Sequence, residues 1–212
     1  LPNWWAAIFE NVDLSNSDYN LSDFTIYGNT QRQSPDLYYG YSEASKVSYK
    51  DVVFDEAELI VRGRGSYCEL HDLNVRKGQD WARGDIAFAS KRDEVKSPVS
   101  IRLDMEAQFP LAEADKIYKS NIATVITDFK TTSTPLIQLE AAIFNKAYSE
   151  YEDKSYIDLS ADLDHPLTYN DVPLDHLSFK LFGRPQVTHL RDVKLGYADC
   201  LATAMIDIFM PV

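Results

Sequence analysis

The sequence has only two cysteines, no apolar run long enough to cross a membrane and no run of basic residues. Two cysteines, Cys68 and Cys200, are too few for a disulfide framework, and the sequence leaves open whether they pair or stay as free thiols. Without an apolar stretch of about 18 residues, a membrane-spanning helix is not predicted. The 212 residues suffice for one large all-β domain or two small units.

Positive charge is scarce. The chain carries 21 Lys and Arg against 33 Asp and Glu, a formal net charge of -12. Nucleic acid is therefore not expected as a partner, because phosphate binding needs a basic surface. An anionic membrane surface is disfavoured for the same reason. The simplest interpretation of the charge is that it keeps the protein in solution.

Motifs that would identify an enzyme are also missing. The sequence has no G-x-S-x-G, no P-loop and no G-x-G-x-x-G. No two of its four histidines have zinc-like spacing. His165 and His176 flank an acidic loop that holds Asp164, Asp171 and Asp175, but a solvated loop is favoured over a metal site there. We therefore predict no enzymatic activity, no cofactor and no metal, and we assign no catalytic residue.

Alternating apolar residues are abundant and predict strands. From Val99 to Phe109 every second residue is apolar and the residues between are polar, which is typical of a strand with one buried face. Shorter alternating runs lie at 57–61, 157–163, 177–181 and 206–210, with loops predicted near 29–40, 77–83, 90–98 and 164–173. Residues 111–120 suit either one short helix or a turn. Residues 136–151 fit either helix or strand, and neighbouring strands favour strand.

Two segments 120 residues apart resemble each other. Tyr49–Val75 and Tyr169–Leu195 align without gaps and share eight identities in 27 positions, where about two are expected from average composition. The shared unit is interpreted as a strand, a turn centred on Gly63 or Gly183, and a second strand. We predict one all-β domain over 1–212, with two related units at about 49–110 and 169–212.

Repeated aspartates occur in both segments and could be read as paired catalytic carboxylates. A residue that recurs in both copies is better explained by a shared structural role, such as a bond from its side chain to nearby backbone N–H groups. We therefore interpret as structural the four aspartates Asp51, Asp72, Asp171 and Asp192.

The repeated pattern, Tyr-x-Asp-Val, an alternating strand, Gly-Arg, then Leu-x-Asp-apolar-x-apolar, resembles the repeating segments of bacterial AsmA/TamB-like envelope proteins. The resemblance covers about a third of the chain, mainly Tyr49–Val75 and Tyr169–Leu195. It implies strands stacked into a long, twisted, groove-like sheet with an apolar inner face. It also implies a periplasmic location and a role in lipid passage or outer-membrane assembly. The family pattern has no catalytic positions to carry over.

The fold expected is mainly β, with antiparallel strands in repeated hairpins. They form either a curved groove-like sheet or a two-layer sandwich, with at most one or two short helices. In the groove, the residues facing acyl chains include Leu59, Val61, Phe179 and Leu181.

Three functions remain open. The first is a non-enzymatic protein of the cell envelope that binds or guides lipid, or supports outer-membrane assembly with another envelope protein. The second is a viral or phage structural or attachment protein in a larger assembly. The third is a carbohydrate-binding β-sandwich that uses Trp4, Trp5 and Trp81. The location expected is the cell envelope or another site outside the cytoplasm, and an oligomer or larger assembly is possible.

Overall fold

A computed structural model describes most of the chain. The described residues are 12–28, 37–65, 67–89, 98–110, 113, 129–131, 134–145 and 148–209. Among them, nearly every regular element is a strand. The exceptions are a short 3-10 helix at Ser149–Lys154 and residue 113, which is assigned as helical. No helix within these ranges is long and apolar enough to cross a membrane.

The described residues contain thirteen strands, and the long ones follow the alternating apolar pattern of the sequence. In chain order they are β1 Val12–Asp13, β2 Asn20–Tyr27, β3 Leu37–Tyr49, β4 Val52–Arg64, β5 Tyr67–Lys77, β6 Asp80–Ala89, β7 Val99–Gln108, β8 Phe129–Thr131, β9 Leu136–Phe144, β10 Tyr156–Tyr169, β11 Val172–Arg184, β12 Val187–Tyr197 and β13 Cys200–Phe209.

All thirteen strands belong to a single antiparallel sheet. Its order is β1-β3-β4-β5-β6-β7-β9-β10-β11-β12-β13, with β2 also on β3 and β8 also on β10. The sheet is open and curved, so of the two arrangements expected from the sequence the single groove-like sheet is the one found. The mainly antiparallel β fold with repeated hairpins is confirmed.

The two similar segments fold into matching hairpins. Strands β4, β5 and β6 begin and end 120 residues before β11, β12 and β13. Residues with positive φ also recur 120 positions apart. Each of three residues with positive φ in the first segment has a counterpart in the second, and the pairs are Lys50 and Asn170, Asp72 and Asp192, and Gly78 and Ala198.

The aspartates Asp72 and Asp192 mark a shared β-bulge. The register of β5 against β6 shifts between Leu70 and Leu73, and that of β12 against β13 shifts between Leu190 and Val193. A bulge inserts one unpaired residue and bends the strand locally. Asp tolerates positive φ better than most residues, which explains why it occupies both bulges.

Two predicted loops are much shorter than expected. In place of a loop at 77–83, a two-residue turn at Gly78-Gln79 joins β5 to β6. In place of a loop at 164–173, β10 continues to Tyr169 and a two-residue turn follows. His165-Pro166 suggested a break because proline cannot donate to a strand ladder, but the register shifts between Asp164 and Leu167, and a bulge accommodates proline.

The turn between the repeated strands is not centred on glycine. Gly63 and Gly183 lie inside β4 and β11, and the turns come after Arg64 and Arg184. At Gly63 an added Cβ would lie 2.2 Å from the hydroxyl oxygen of Tyr38 and 2.2 Å from the backbone oxygen of Tyr67. The glycine therefore makes room for the buried Tyr38 ring, whose hydroxyl donates to the Tyr67 carbonyl oxygen at 2.9 Å.

Of the two segments with helical potential, one can be assigned. Residues 136–144 form strand β9, as neighbouring strands favoured, and the 3-10 helix follows at Ser149–Lys154. The predicted short helix at 111–120 lies outside the described residues except at residue 113. The predicted loop at 90–98 lies outside them except at Pro98, and so does most of the loop at 29–40, where β3 begins at Leu37.

The two cysteines are free thiols. Cys68 lies buried in β5, and Cys200 is exposed at the start of β13. Burial raises the pKa of the Cys68 thiol to about 11. Because the thiolate is the reactive form, Cys68 is protected both by its position and by its protonation.

The glycine pair supplies a matched test of packing. We expect Gly63→Ala to lower the free energy of unfolding by about 2–3 kcal/mol, because the new methyl group collides with Tyr38 and with the Tyr67 backbone. At Gly183 an added Cβ would meet its nearest neighbour at 3.4 Å, which is ordinary contact. Gly183→Ala should therefore change stability by less than about 1 kcal/mol. Urea denaturation of both variants decides this, and equal losses would contradict the packing assigned to Gly63.

Thiol labelling tests the burial of Cys68. In the native protein at pH 8, iodoacetamide should modify one thiol per chain, and in denaturant it should modify two. The variant Cys200→Ser should resist labelling until it is unfolded. Intact-mass spectrometry measures both results, and rapid native labelling of Cys200→Ser would show that β5 is not packed as described.

Candidate ligand-binding face

The register of the strands divides the sheet into two chemically different faces. Side chains that lie opposite each other on paired strands project to the same side. Following the pairs across β7 and β9 to β13 gives one continuous row, in which every member is apolar. We call it the central row, and it consists of Met105, Leu139, Leu159, Leu181, Leu190 and Ile206.

The side that carries the central row is the apolar face. It continues along each strand at every second residue, apart from the bulges, and towards β3 and β4 it includes Tyr38, Gly40 and Val61. The groove-facing residues expected from the sequence all lie on it, namely Leu59, Val61, Phe179 and Leu181. The opposite side, the polar face, carries most of the charged side chains of the same strands.

Burial is concentrated on the apolar face. Most of the buried hydrophobic side chains lie on it, whereas Ala87 and Ala142 lie on the polar face. Val52, Phe54 and Leu174 are one residue out of phase with the alternation of their strands, yet they cluster with residues of the apolar face. The buried side chains form three local clusters, around Tyr38, around Phe54 and around Leu177. None of these clusters is formed by a second layer of the described strands, since every described strand belongs to the one sheet.

Much of the apolar face between the clusters is reachable by solvent. The members of the central row are partly exposed, and Ile206 is exposed. Beside the row lie further isoleucines of the same face that expose about two fifths of their surface, Ile101, Ile143 and Ile157. Exposed apolar surface of this extent on one side of a protein marks a binding site for a protein, a membrane or an apolar ligand.

The length of the central row can be compared with a lipid chain. Neighbouring strands lie about 4.8 Å apart, so the five steps from Met105 to Ile206 span about 24 Å. The hydrocarbon core of a bilayer is about 30 Å thick, or about 15 Å for each leaflet. The row is therefore longer than one acyl chain in its bilayer setting, and no charged side chain interrupts it.

The polar face is held by side-chain networks between strands. Around Glu69 of β5, the Tyr67 hydroxyl donates to the carboxylate at 2.6 Å, Arg62 of β4 forms an ion pair with it, and a ring nitrogen of His71 lies 3.1 Å away. Partial burial alone would raise the pKa of Glu69, but the hydrogen bonds from Tyr67, Arg62 and His71 outweigh it and lower the pKa to about 2.

A shallow hollow of about 790 Å³ lies on the polar face where β5, β6 and β7 adjoin. The bulge at Asp72 and the backbone at Gly84 shape it, and its lining side chains are mostly charged. Arg83 pairs with Glu106 at 2.6 Å and stacks over the Trp81 ring at 4.7 Å. The ring that could have gripped a sugar is therefore covered on one side by its own neighbour, while Trp4 and Trp5 lie outside the described residues.

One group of acidic and imidazole side chains comes together in the region where a metal was considered. The Nδ1 atom of His176 lies 2.9 Å from a carboxylate oxygen of Asp164 and 3.6 Å from one of Asp162. The other predicted loop acids lie apart from it: Asp171 pairs with Lys130 at 2.7 Å, and Asp175 is exposed. The possible metal-ligand atoms of Asp162, Asp164 and His176 lie within 4.8 Å of one another, and the two ring nitrogens of His176 form hydrogen bonds with Asp164 and Ser178.

The four repeated aspartates occupy equivalent places in the two sets of hairpins. Asp51 and Asp171 lie in the turns β3–β4 and β10–β11, and Asp72 and Asp192 lie in bulges. The Asp72 backbone N–H donates to Asp85 at 3.0 Å, and Asp192 pairs with Lys180 at 2.9 Å. Each aspartate thus lies in a hairpin turn or bulge, and no described contact joins two of them.

The extent of the apolar face is what sequence reasoning missed. Alternation within Val99–Gln108 was visible, but which of its residues lie opposite those of β9 depends on the register between the strands. The pairs Met105–Leu139 and Leu139–Leu159 that build the central row appear only in the folded sheet. The signal available in the sequence was that apolar residues occupy every second position in several successive strands.

Comparison with known proteins gave no match. No protein-family model matches the chain. No curated protein and no solved structure matches it either.

The Glu69 network predicts how stability depends on pH. The folded-state pKa of about 2 lies below the ordinary value of 4.5, so the ionised carboxylate contributes stability above pH 4.5 and this contribution is lost as pH falls towards 2. After allowance for solvent screening we expect it to amount to about 1–2 kcal/mol. The stability difference between the parent and Glu69→Gln should therefore shrink as pH falls through this range.

Denaturant titrations at several pH values measure that difference, and Tyr67→Phe serves as the matched variant. It removes one hydrogen bond to the carboxylate while leaving the charge, so the folded-state pKa of Glu69 should lie closer to 4.5. Its acid-dependent loss of stability should therefore be smaller than that of the parent and be complete at a higher pH. A parent and a Glu69→Gln variant whose difference is constant between pH 5 and pH 2 would contradict the network.

Proposed function

We propose that this protein binds the acyl chains of lipids along the apolar face of its open sheet. The observation that carries the proposal is the central row, six apolar side chains on six adjacent strands that remain partly exposed. Burial of apolar surface contributes about 25 cal/mol per Å², so a chain laid along this row gains affinity without needing a specific polar contact.

The shape of the site favours a chain-like ligand over a compact one. A compact ligand needs an enclosed pocket that buries most of its surface. The hollow found among the described residues lies on the polar face and is lined by charged groups. The apolar face is instead an open, elongated surface across successive strands, which fits an extended hydrocarbon chain.

The uniform composition of the central row suits a protein that moves or guides lipid. The central row repeats similar side chains at each strand, so neighbouring positions along it offer similar binding energy. We therefore propose a non-enzymatic protein in which lipid can shift from strand to strand. The resemblance of the repeated hairpins to AsmA/TamB-like segments supports a place in the cell envelope, where such a protein guides lipid or supports outer-membrane assembly.

A charge placed on the apolar face tests the proposal. Ile157 of β10 is 42% exposed, so Ile157→Glu should fold, but it puts a carboxylate beside the central row. We expect the Kd for a fluorescent fatty acid to rise at least about tenfold, because a charge facing an acyl chain must be desolvated. Fluorescence titration of delipidated protein measures the affinity.

The control is the same charge on the other side of the same strand. Ser160 faces the polar side, where its hydroxyl donates to Gln138 at 3.2 Å. Ser160→Glu should leave the Kd within about twofold of the parent. Failure of the parent protein to bind fatty acid or phospholipid, or equal losses in the two variants, would rule out binding on the apolar face.

A further inference from the structure

The outer edge of β13 is left without a partner among the described strands. Its inner edge pairs with β12 from Val187–Phe209 to Tyr197–Cys200, and no described strand lies on the other side. In an antiparallel sheet about half of the backbone N–H and C=O groups of a strand point to each neighbour. One side of β13 therefore presents a row of backbone donors and acceptors.

Every residue of β13 is exposed, which is true of no other long strand. The exposed fractions reach 65% at Leu201, 78% at Met205 and 76% at Phe209. These three side chains share the polar face, yet all are apolar. An exposed edge strand that is long and hydrophobic is a site at which another strand adds to the sheet.

The first hairpin set shows what a covered edge looks like. Strand β6, which lies 120 residues before β13, is paired along the corresponding edge by β7, from Phe88–Ile101 to Trp81–Gln108. Strand β13 pairs with β12 as β6 pairs with β5, and the bulge at Asp192 in β12 corresponds to the bulge at Asp72 in β5. The geometry that accepts a strand in the first set is therefore present in the second.

The sequence of β13 also lacks the features that prevent strands from pairing at an edge. It contains no lysine, proline or glycine. Its single charge, Asp207, is paired with Arg191 of β12 at 2.5 Å, and a ring nitrogen of His189 lies 2.8 Å from the same carboxylate oxygen. Two copies of this strand can therefore approach each other without repulsion between like charges.

We propose that β13 pairs antiparallel with β13 of a second copy of this chain, about a twofold axis at Met205. This register places Met205 opposite Met205 and Leu201 opposite Phe209, so the three most exposed apolar side chains of the strand are brought together. On the apolar face it places Ala202 opposite Ile208 and Ala204 opposite Ile206. Residues of like character thus meet on both faces.

The symmetry of this pairing has a consequence for the sheet. A twofold axis that relates antiparallel strands at an edge is perpendicular to the sheet, so it keeps the same face of both copies on the same side. The apolar face of one copy continues into that of the other, and the central row, which ends at Ile206, is followed there by Ala204 of the second copy. The pairing itself does not depend on lipid binding.

Sedimentation equilibrium of the full chain tests the association. We expect the mass to rise towards twice 24.1 kDa with concentration. Met205→Lys sets two ammonium groups opposite each other, so the dimer Kd should rise at least about tenfold. Val53→Lys, which adds the same charge to an exposed site on β4, should not change it.

Cross-linking tests the register. In a Cys200→Ser background, Met205→Cys should form a disulfide-linked dimer on mild oxidation, because opposite residues of an antiparallel pair lie within disulfide distance. Ala204→Cys, one residue away and on the other face, should not. Cross-linking at 204 in place of 205 would overturn the proposed register and with it the proposal.

Three other outcomes would also overturn it. A chain that stays monomeric at high concentration would show that β13 does not pair with β13 of a second copy. A series of oligomers beyond the dimer would indicate head-to-tail association. A dimer unaffected by Met205→Lys would place the contact on a different surface.

Discussion

The structure depends on one constraint, namely that alternate residues of nearly every strand are apolar and that the register sets them all on one side of one sheet. In a two-layer protein such a face is buried against another layer. Here the described strands provide no second layer, and only three local clusters bury their side chains fully. The curvature of the sheet and the bulges at Asp72 and Asp192 shelter the rest in part. The proposed lipid site is the portion that remains.

The polar face explains how a single sheet stays regular without a layer behind it. Cross-strand ion pairs and hydrogen bonds join strand to strand, as at Glu69 with Arg62 and at Arg184 with Asp158. Pairs of this kind contribute little each, but they fix which residues lie opposite each other. A slip of one residue would turn every apolar side chain of a strand to the wrong side. The charged side chains thus support the register of the strands.

The sequence was informative about strands and much less so about turns and bulges. Strand β7 and the matching hairpins at 120-residue spacing were visible because alternation and repetition are local patterns. The predicted turns are misplaced because Gly63, Gly183 and Pro166 are residue types that usually mark the end of a strand. Gly63 is instead a space for Tyr38, Pro166 lies at a bulge, and the turn after β10 uses Asn170 and Asp171 at positive φ. The candidate site was only partly predictable, because the central row depends on pairing between distant strands.

The strand order has a consequence for how the chain folds. With few exceptions each strand pairs with the next in sequence, and no described contact ties the first strands to the last. Such a sheet can start from any of its hairpins and grow by adding neighbours, without waiting for one distant closure. Its folding stability is then set mainly by the contacts between neighbouring strands. The middle strands are hydrogen-bonded on both sides, and the outermost strands on one side only. Amide hydrogen exchange would therefore be slowest around β7 to β10 and fastest towards β13.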